Sequence, residues 1–134
     1  MLNAKSEISL GRTIMLVIAK LGKEKVPLPF RNQEPWHLLF YTLKMESDAS
    51  GRPNFLSELV FDWDGPSPKC EEVSEFLNGL HITANVSGLN PRFDLISVDD
   101  DDAIRWLQDF EQLDRDSKSF VLRAAEIARN EFVG

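Results

Sequence analysis

Apolar residues recur at helical spacing in five stretches of the chain. The first is Ile14, Val17, Ile18 and Leu21, spaced i, i+3, i+4, i+7. Gly22 follows at once and reads as the C-terminal stop. Residues 23–33, with Pro27 and Pro29, read as a connection. Pro35 suits the first turn of a second helix, where a missing N–H costs little, and Trp36, Leu39, Phe40 and Leu43 repeat the spacing. The polar stretch ESDASGRPN, residues 46–54, closes it as a loop.

The period then changes. Leu59, Phe61 and Trp63 alternate with Val60, Asp62 and Asp64, which predicts a strand with one apolar face. Gly65-Pro66-Ser67-Pro68 must stop it, since two prolines cannot sit in a central ladder. Ser67 reads as the N-cap of a third helix, with Pro68 in its first turn and Glu71 and Glu72 at the positive end of the dipole. Val73, Phe76, Leu77 and Leu80 supply its stripe. Ile82, Ala84 and Val86 alternate again, and Ser87-Gly88-Leu89-Asn90-Pro91 separates them from residues 92–96, which predicts a hairpin around a five-residue turn. Aspartates 99–102 lead into a fourth helix marked by Ala103, Ile104, Leu107 and Phe110. After a break at residues 114–117, Val121, Ala124, Ala125, Ala128 and Phe132 form the face of a last helix.

Helix, helix, strand, helix, hairpin is the order of a winged helix, in which the third helix reads the DNA groove and the hairpin is the wing. The expectation is an α+β, winged-helix-like fold with two additional C-terminal helices. It forms one domain over residues 1–134, with a core at about 10–98 and a helical extension at about 99–133. Composition agrees with a single core: 134 residues, 43% hydrophobic, with nine Phe and three Trp. The longest apolar run, residues 14–19, is far short of the ~20 residues that span a bilayer. The opening residues lack the order of a secretory signal, and the lone Cys70 permits no internal disulfide. A cytoplasmic protein without membrane contact is expected.

Charge divides the chain. Residues 1–31 carry six Lys and Arg (Lys5, Arg12, Lys20, Lys23, Lys25, Arg31) against Glu7 and Glu24, although the whole chain is at −7. The asymmetry marks the N-terminal part as a basic contact patch, as an end that docks on the acidic body, or as one that simply stays solvated.

The helix Trp36-His37-Leu38-Leu39-Phe40-Tyr41, and Phe61-Asp62-Trp63-Asp64-Gly65-Pro66-Ser67-Pro68 running into a helix, resemble prokaryotic winged-helix-like proteins of the YwgA kind. These are loosely related to SocA/Panacea antitoxin-type domains. The resemblance covers about residues 10–98. It implies a winged-helix fold and a regulatory, antitoxin-like neighbourhood, and it brings no catalytic residue.

A groove-reading helix offers Arg, Lys, Asn or Gln to bases and phosphates. Here the third helix offers Lys69 and Asn78 beside Glu71, Glu72 and Glu75, and the wing adds only Arg92. Residues 54–102 hold eleven acidic residues and two basic ones, so this surface repels a duplex. Asp62, Asp64, aspartates 99–102 and His81 are the metal candidates. Asp62-Trp63-Asp64-Gly65 only mimics a calcium loop, because prolines occupy the ligand positions beyond it. Aspartates at a helix start are explained by capping and the dipole. Cys70 near a helix N-terminus would be activated there, but Glu71 and Glu72 oppose a thiolate, and neither His37 nor His81 is paired with it by spacing. No phosphate-binding loop or hydrolase motif is present. The reading is therefore of a non-enzymatic domain with no cofactor or metal. It would bind another protein, of basic character, through an acidic surface including Lys69, Glu72, Glu75, Arg92 and Trp106, and it would be compatible with a homodimer. Trp36, Trp63 and Trp106 are the candidate interface anchors. The rival is a DNA-binding regulator that contacts DNA through its basic N-terminal part or a dimer groove.

Overall fold

The computed structural model describes residues 8–26, 28, 29, 32–46, 53–63, 65, 67–80, 86, 87, 97, 98 and 100–133. Their helices are α1 (Leu10–Lys23), α2 (Glu34–Met45), α3 (Phe55–Glu58), α4 (Glu71–Leu80), α5 (Asp100–Glu111) and α6 (Arg115–Val133). Two strands of two residues each, β1 (Val86–Ser87) and β2 (Ser97–Val98), pair antiparallel.

Helix ends follow from local chemistry. Ser9 caps α1, its hydroxyl accepting the Arg12 N–H at 3.1 Å. Gly22 is not the stop at the other end, since the helix runs one residue past it. Lys25 takes the left-handed conformation with φ of 65°. The Val26 N–H then reaches Leu21 O at 3.0 Å and the Lys25 N–H reaches Gly22 O at 3.1 Å, the paired bonds of a Schellman turn. A lysine thus holds a position that glycine fills without steric cost. Asp114 caps α6 by accepting the Ser117 N–H at 2.8 Å.

The apolar stripes meet as a helical bundle. α5 and α6 both pack on α1, and α6 also packs on α2. Alanines 124, 125 and 128 are fully buried, and their small side chains let α6 lie close to its neighbours. Larger residues fill the centre: Ile14, Ile18, Trp36, Leu39, Phe40 and Phe120 are all fully buried. Phe55 of α3 joins Phe40 and Phe120 edge-on, at 6.3 and 5.9 Å. Trp36 donates its indole N–H to Pro29 O at 2.7 Å, so its one polar atom is satisfied inside the core. Bidentate ion pairs clasp α6 to the ends of the first two helices: Arg129 with Glu24, and Arg123 with Glu46. Phe76 of α4 lies over Gly11 of α1, where a β-carbon would come within 2.6 Å of the ring.

This fold corrects the α+β winged-helix expectation, because the regular structure of the described residues is helical apart from the two short strands. The strand predicted at residues 59–64 does not form over the described residues 59–63. The chain just before it coils into α3, and the segment itself makes one isolated bridge, from Asp62 to Lys69 on its own returning limb. The Asp62 and Lys69 backbones exchange both hydrogen bonds there at 2.9 Å. Toward Val60 the bridge cannot lengthen, because the next residue of the returning limb, Glu71, already starts α4.

The hairpin differs as well. Ser87 pairs with Ser97, so the five-residue turn at 87–91 is excluded, and residues 88–96, Arg92 among them, lie outside the described residues. Ser67 does not cap α4, which starts at Glu71, three residues later than expected. Ile104, expected on the inner face of α5, is half exposed. Finally, α5 and α6 are not a cover laid on a finished core, since they supply much of it.

Candidate functional site

Residues 59–63 and 67–70 form the two limbs of an arm against α2, and two features converge on it. The first is an aromatic shelf. Leu59 at the start of the arm is buried, but exposure rises along the same face, and Trp63 is 58% exposed. Its ring stands edge-on to Tyr41 at 5.4 Å, and Phe61 meets the same Tyr41 at 5.5 Å. Val60, on the alternate face of the extended segment, is 63% exposed. The shelf is fastened by Lys44, whose ammonium donates to the carbonyl of Leu59. At the turn of the arm Gly65 has φ of 135°, a conformation that side chains resist.

The second feature is a polar cleft of about 360 Å³ between the start of α2, the returning limb of the arm and α4, lined by Asn32, Gln33, Glu34, His37, Ser67, Lys69 and Ser74. His37 is buried at its base. The backbone N–H of Cys70 donates to His37 Nδ1 at 3.0 Å, which places the ring proton on Nε2. Nε2–H then faces Ser74 Oγ at 3.2 Å, the Ser74 hydroxyl donates to Gln33 Oε1 at 2.9 Å, and the Gln33 amide donates to Asn78 Oδ1 at 2.9 Å. Every bond runs in one direction from the Cys70 amide to the surface. A serine beside a histidine invites comparison with a hydrolase dyad, but here the nitrogen facing Ser74 carries a proton and cannot accept another. The relay joins α2, the arm and α4. Burial, with a smaller push from Lys69, holds the His37 pKa below its ordinary value against an opposing pull from Glu34.

Cys70 is the true N-cap of α4. Its S–H donates to Glu72 Oε1 at 3.1 Å. Burial pushes the thiol up to about 11, outweighing the opposing pull of the backbone at Val73 and Glu72, so it stays protonated and unreactive at neutral pH. Ser67, released from capping, donates to Glu34 Oε2 at 2.8 Å across the cleft.

The residues singled out from sequence are scattered. Lys69 is exposed at the cleft rim, and Glu72 and Glu75 are exposed on α4. Trp106 is only 9% exposed and packs into the core through α5, so it is not a surface anchor; Trp36 is fully buried, which leaves Trp63 as the exposed tryptophan. Asp64, His81, Asp99 and Arg92 lie outside the described residues. Among the described residues no three of His, Cys, Asp and Glu are grouped to hold a metal ion, and no helix is long and apolar enough to cross a membrane. Sequence reasoning missed the relay, because His37 and Ser74 are 37 positions apart and no spacing rule links them. It also missed Tyr41, whose only signal was its place one helical turn before Met45, itself 59% exposed.

The chain matches no known family model, no curated protein and no solved structure.

Proposed function

We propose that the chain is a non-enzymatic, regulatory domain that binds another protein through the aromatic shelf of Tyr41, Phe61 and Trp63. The observation that carries this reading is the exposure of Trp63 on an arm that is itself anchored at both ends. Exposed aromatic surface on a rigid support is the composition of interface hot spots, and its burial by a partner supplies affinity. The polar cleft supports the non-enzymatic part, since its histidine is turned the wrong way to activate its serine.

A photocrosslinking amino acid at Val60, activated in producing cells, tests the reading. The expected result is a discrete adduct that disappears with Trp63→Ala and persists with Glu75→Ala on α4. An adduct pattern indifferent to Trp63→Ala removes the shelf from consideration. The second reading, duplex binding by the basic N-terminal part, is favoured by Lys20, Lys23 and Lys25 gathered at the end of α1, where Arg129 pairs with Glu24. A duplex titration against salt separates the two, because phosphate contacts give a steep negative slope.

A further inference from the structure

The bridge between Asp62 and Lys69 has a second consequence for the arm. In a hydrogen-bonded antiparallel pair, the paired residue turns its N–H and C=O toward its partner, and its neighbours turn theirs to the opposite side. Phe61 and Trp63 therefore direct their backbone groups away from the returning limb. Among the described residues no hydrogen bond reaches the backbone N–H or C=O of either. Beside this open edge stand Val60 and Trp63, 63% and 58% exposed, while Phe61 and Trp63 rest on Tyr41. An open row of donors and acceptors flanked by apolar side chains is what strand addition requires: main-chain bonds give affinity, and alternate side chains give selection.

Charge selects among occupants. Asp62 and Glu58 are exposed on the arm and just before it, and Lys69 lies across the bridge, on the side away from the open edge. Residues 54–102 hold eleven acidic residues against two basic ones, and the chain as a whole is at −7. Two such edges repel one another, which argues against a second copy of this chain and for a basic segment.

We infer that the edge formed by Phe61 and Trp63 accepts an extended, positively charged segment of a partner polypeptide as an added strand, whose apolar side chains settle beside Trp63. The inference rests on the docking role of the shelf and adds the conformation and charge of what docks.

The test uses the full chain, labelled for amide NMR, and a synthetic peptide alternating valine with lysine and arginine. Two further peptides carry backbone N-methyl groups on one or the other alternate set of residues. In an added strand only one set of peptide N–H groups faces the edge. The peptide is expected to shift the Phe61 and Trp63 amides. N-methylation of one set should weaken binding about tenfold, and of the other set much less. Asp62→Lys should weaken binding as well, with the helical signal of the protein unchanged.

Equal loss for both methylated peptides, or amides of Phe61 and Trp63 that do not respond to the unmethylated one, overturns the inference. A helix-forming peptide of the same composition that binds at Tyr41 and Trp63 in place of the alternating one also overturns it, yet leaves the docking role standing. Absence of the Val60 adduct described above would instead count against the docking role itself.

Discussion

Trp36 and Trp63 sit on adjoining parts of the same molecule and have opposite surroundings. Trp36 is enclosed on every side, its ring 4.7 Å from Phe132 and its indole N–H bonded to Pro29. Trp63 has Tyr41 on one side and solvent on the other. The bundle closes around its aromatics because five long helices contribute stripes to one volume; the aromatic limb of the arm rests on α2. Burial of a large apolar side chain contributes about 1.5–3 kcal/mol, which the bundle gains in folding and the exposed Trp63 does not; under the proposed function a partner would gain it.

Substitutions can break this contrast, and the largest effect is expected in the bundle. Phe120→Ala opens a cavity in a fully buried site and should cost about 3–5 kcal/mol in denaturant unfolding. Trp63→Ala, a larger deletion by volume, should change stability far less; a loss equal to that of Phe120→Ala would mean that the arm belongs to the core.

Acid should loosen the junction between the two regions. The folded-state pKa of His37 is lowered, whereas in the unfolded chain it is at the ordinary value of about 6.5. Between these values the unfolded state binds the additional proton, so stability is complete above about pH 6.5 and declines as the pH falls below it. Protonation of Nδ1 also sets two donors against each other at the Cys70 amide. His37→Asn, which keeps an acceptor without the titration, should flatten this part of the profile. An unchanged slope assigns the acid sensitivity to other groups.

Smaller effects sharpen the comparison. Lys25→Gly relieves the left-handed position after α1 and should stabilise by up to about 1 kcal/mol, measured by thermal unfolding. Arg129→Ala removes a largely exposed ion pair, with an expected loss of under about 1 kcal/mol that shrinks further in salt. Cys70, buried with its thiol raised to about 11, should react with a thiol reagent at neutral pH only at the rate of local opening of α4; fast, complete labelling of the folded protein would contradict its role as a cap.

The five long helices were legible in the sequence because each buries one stripe, and a stripe of period 3.6 is a local signal. The arm was legible only in part. Alternation at residues 59–64 marked a segment with an apolar side, but a ladder needs a second strand, and the returning limb turns into α4 directly after Cys70. The winged-helix reading failed at that sheet, although the order of its helices runs along the chain. The cleft left no trace in spacing, since the partners of His37 come from the arm and α4, more than thirty positions away.

The amino-acid order alone determined where the long helices lie and that their inner faces are apolar, because hydrogen bonding within a helix and the rhythm of its side chains are both short-range. Only the tertiary structure decided which tryptophan remains in water, which nitrogen of His37 carries the proton and which edge of the arm stays open. Each of these depends on what distant segments bring to the same place, and burial is a property of that assembly, not of the residue.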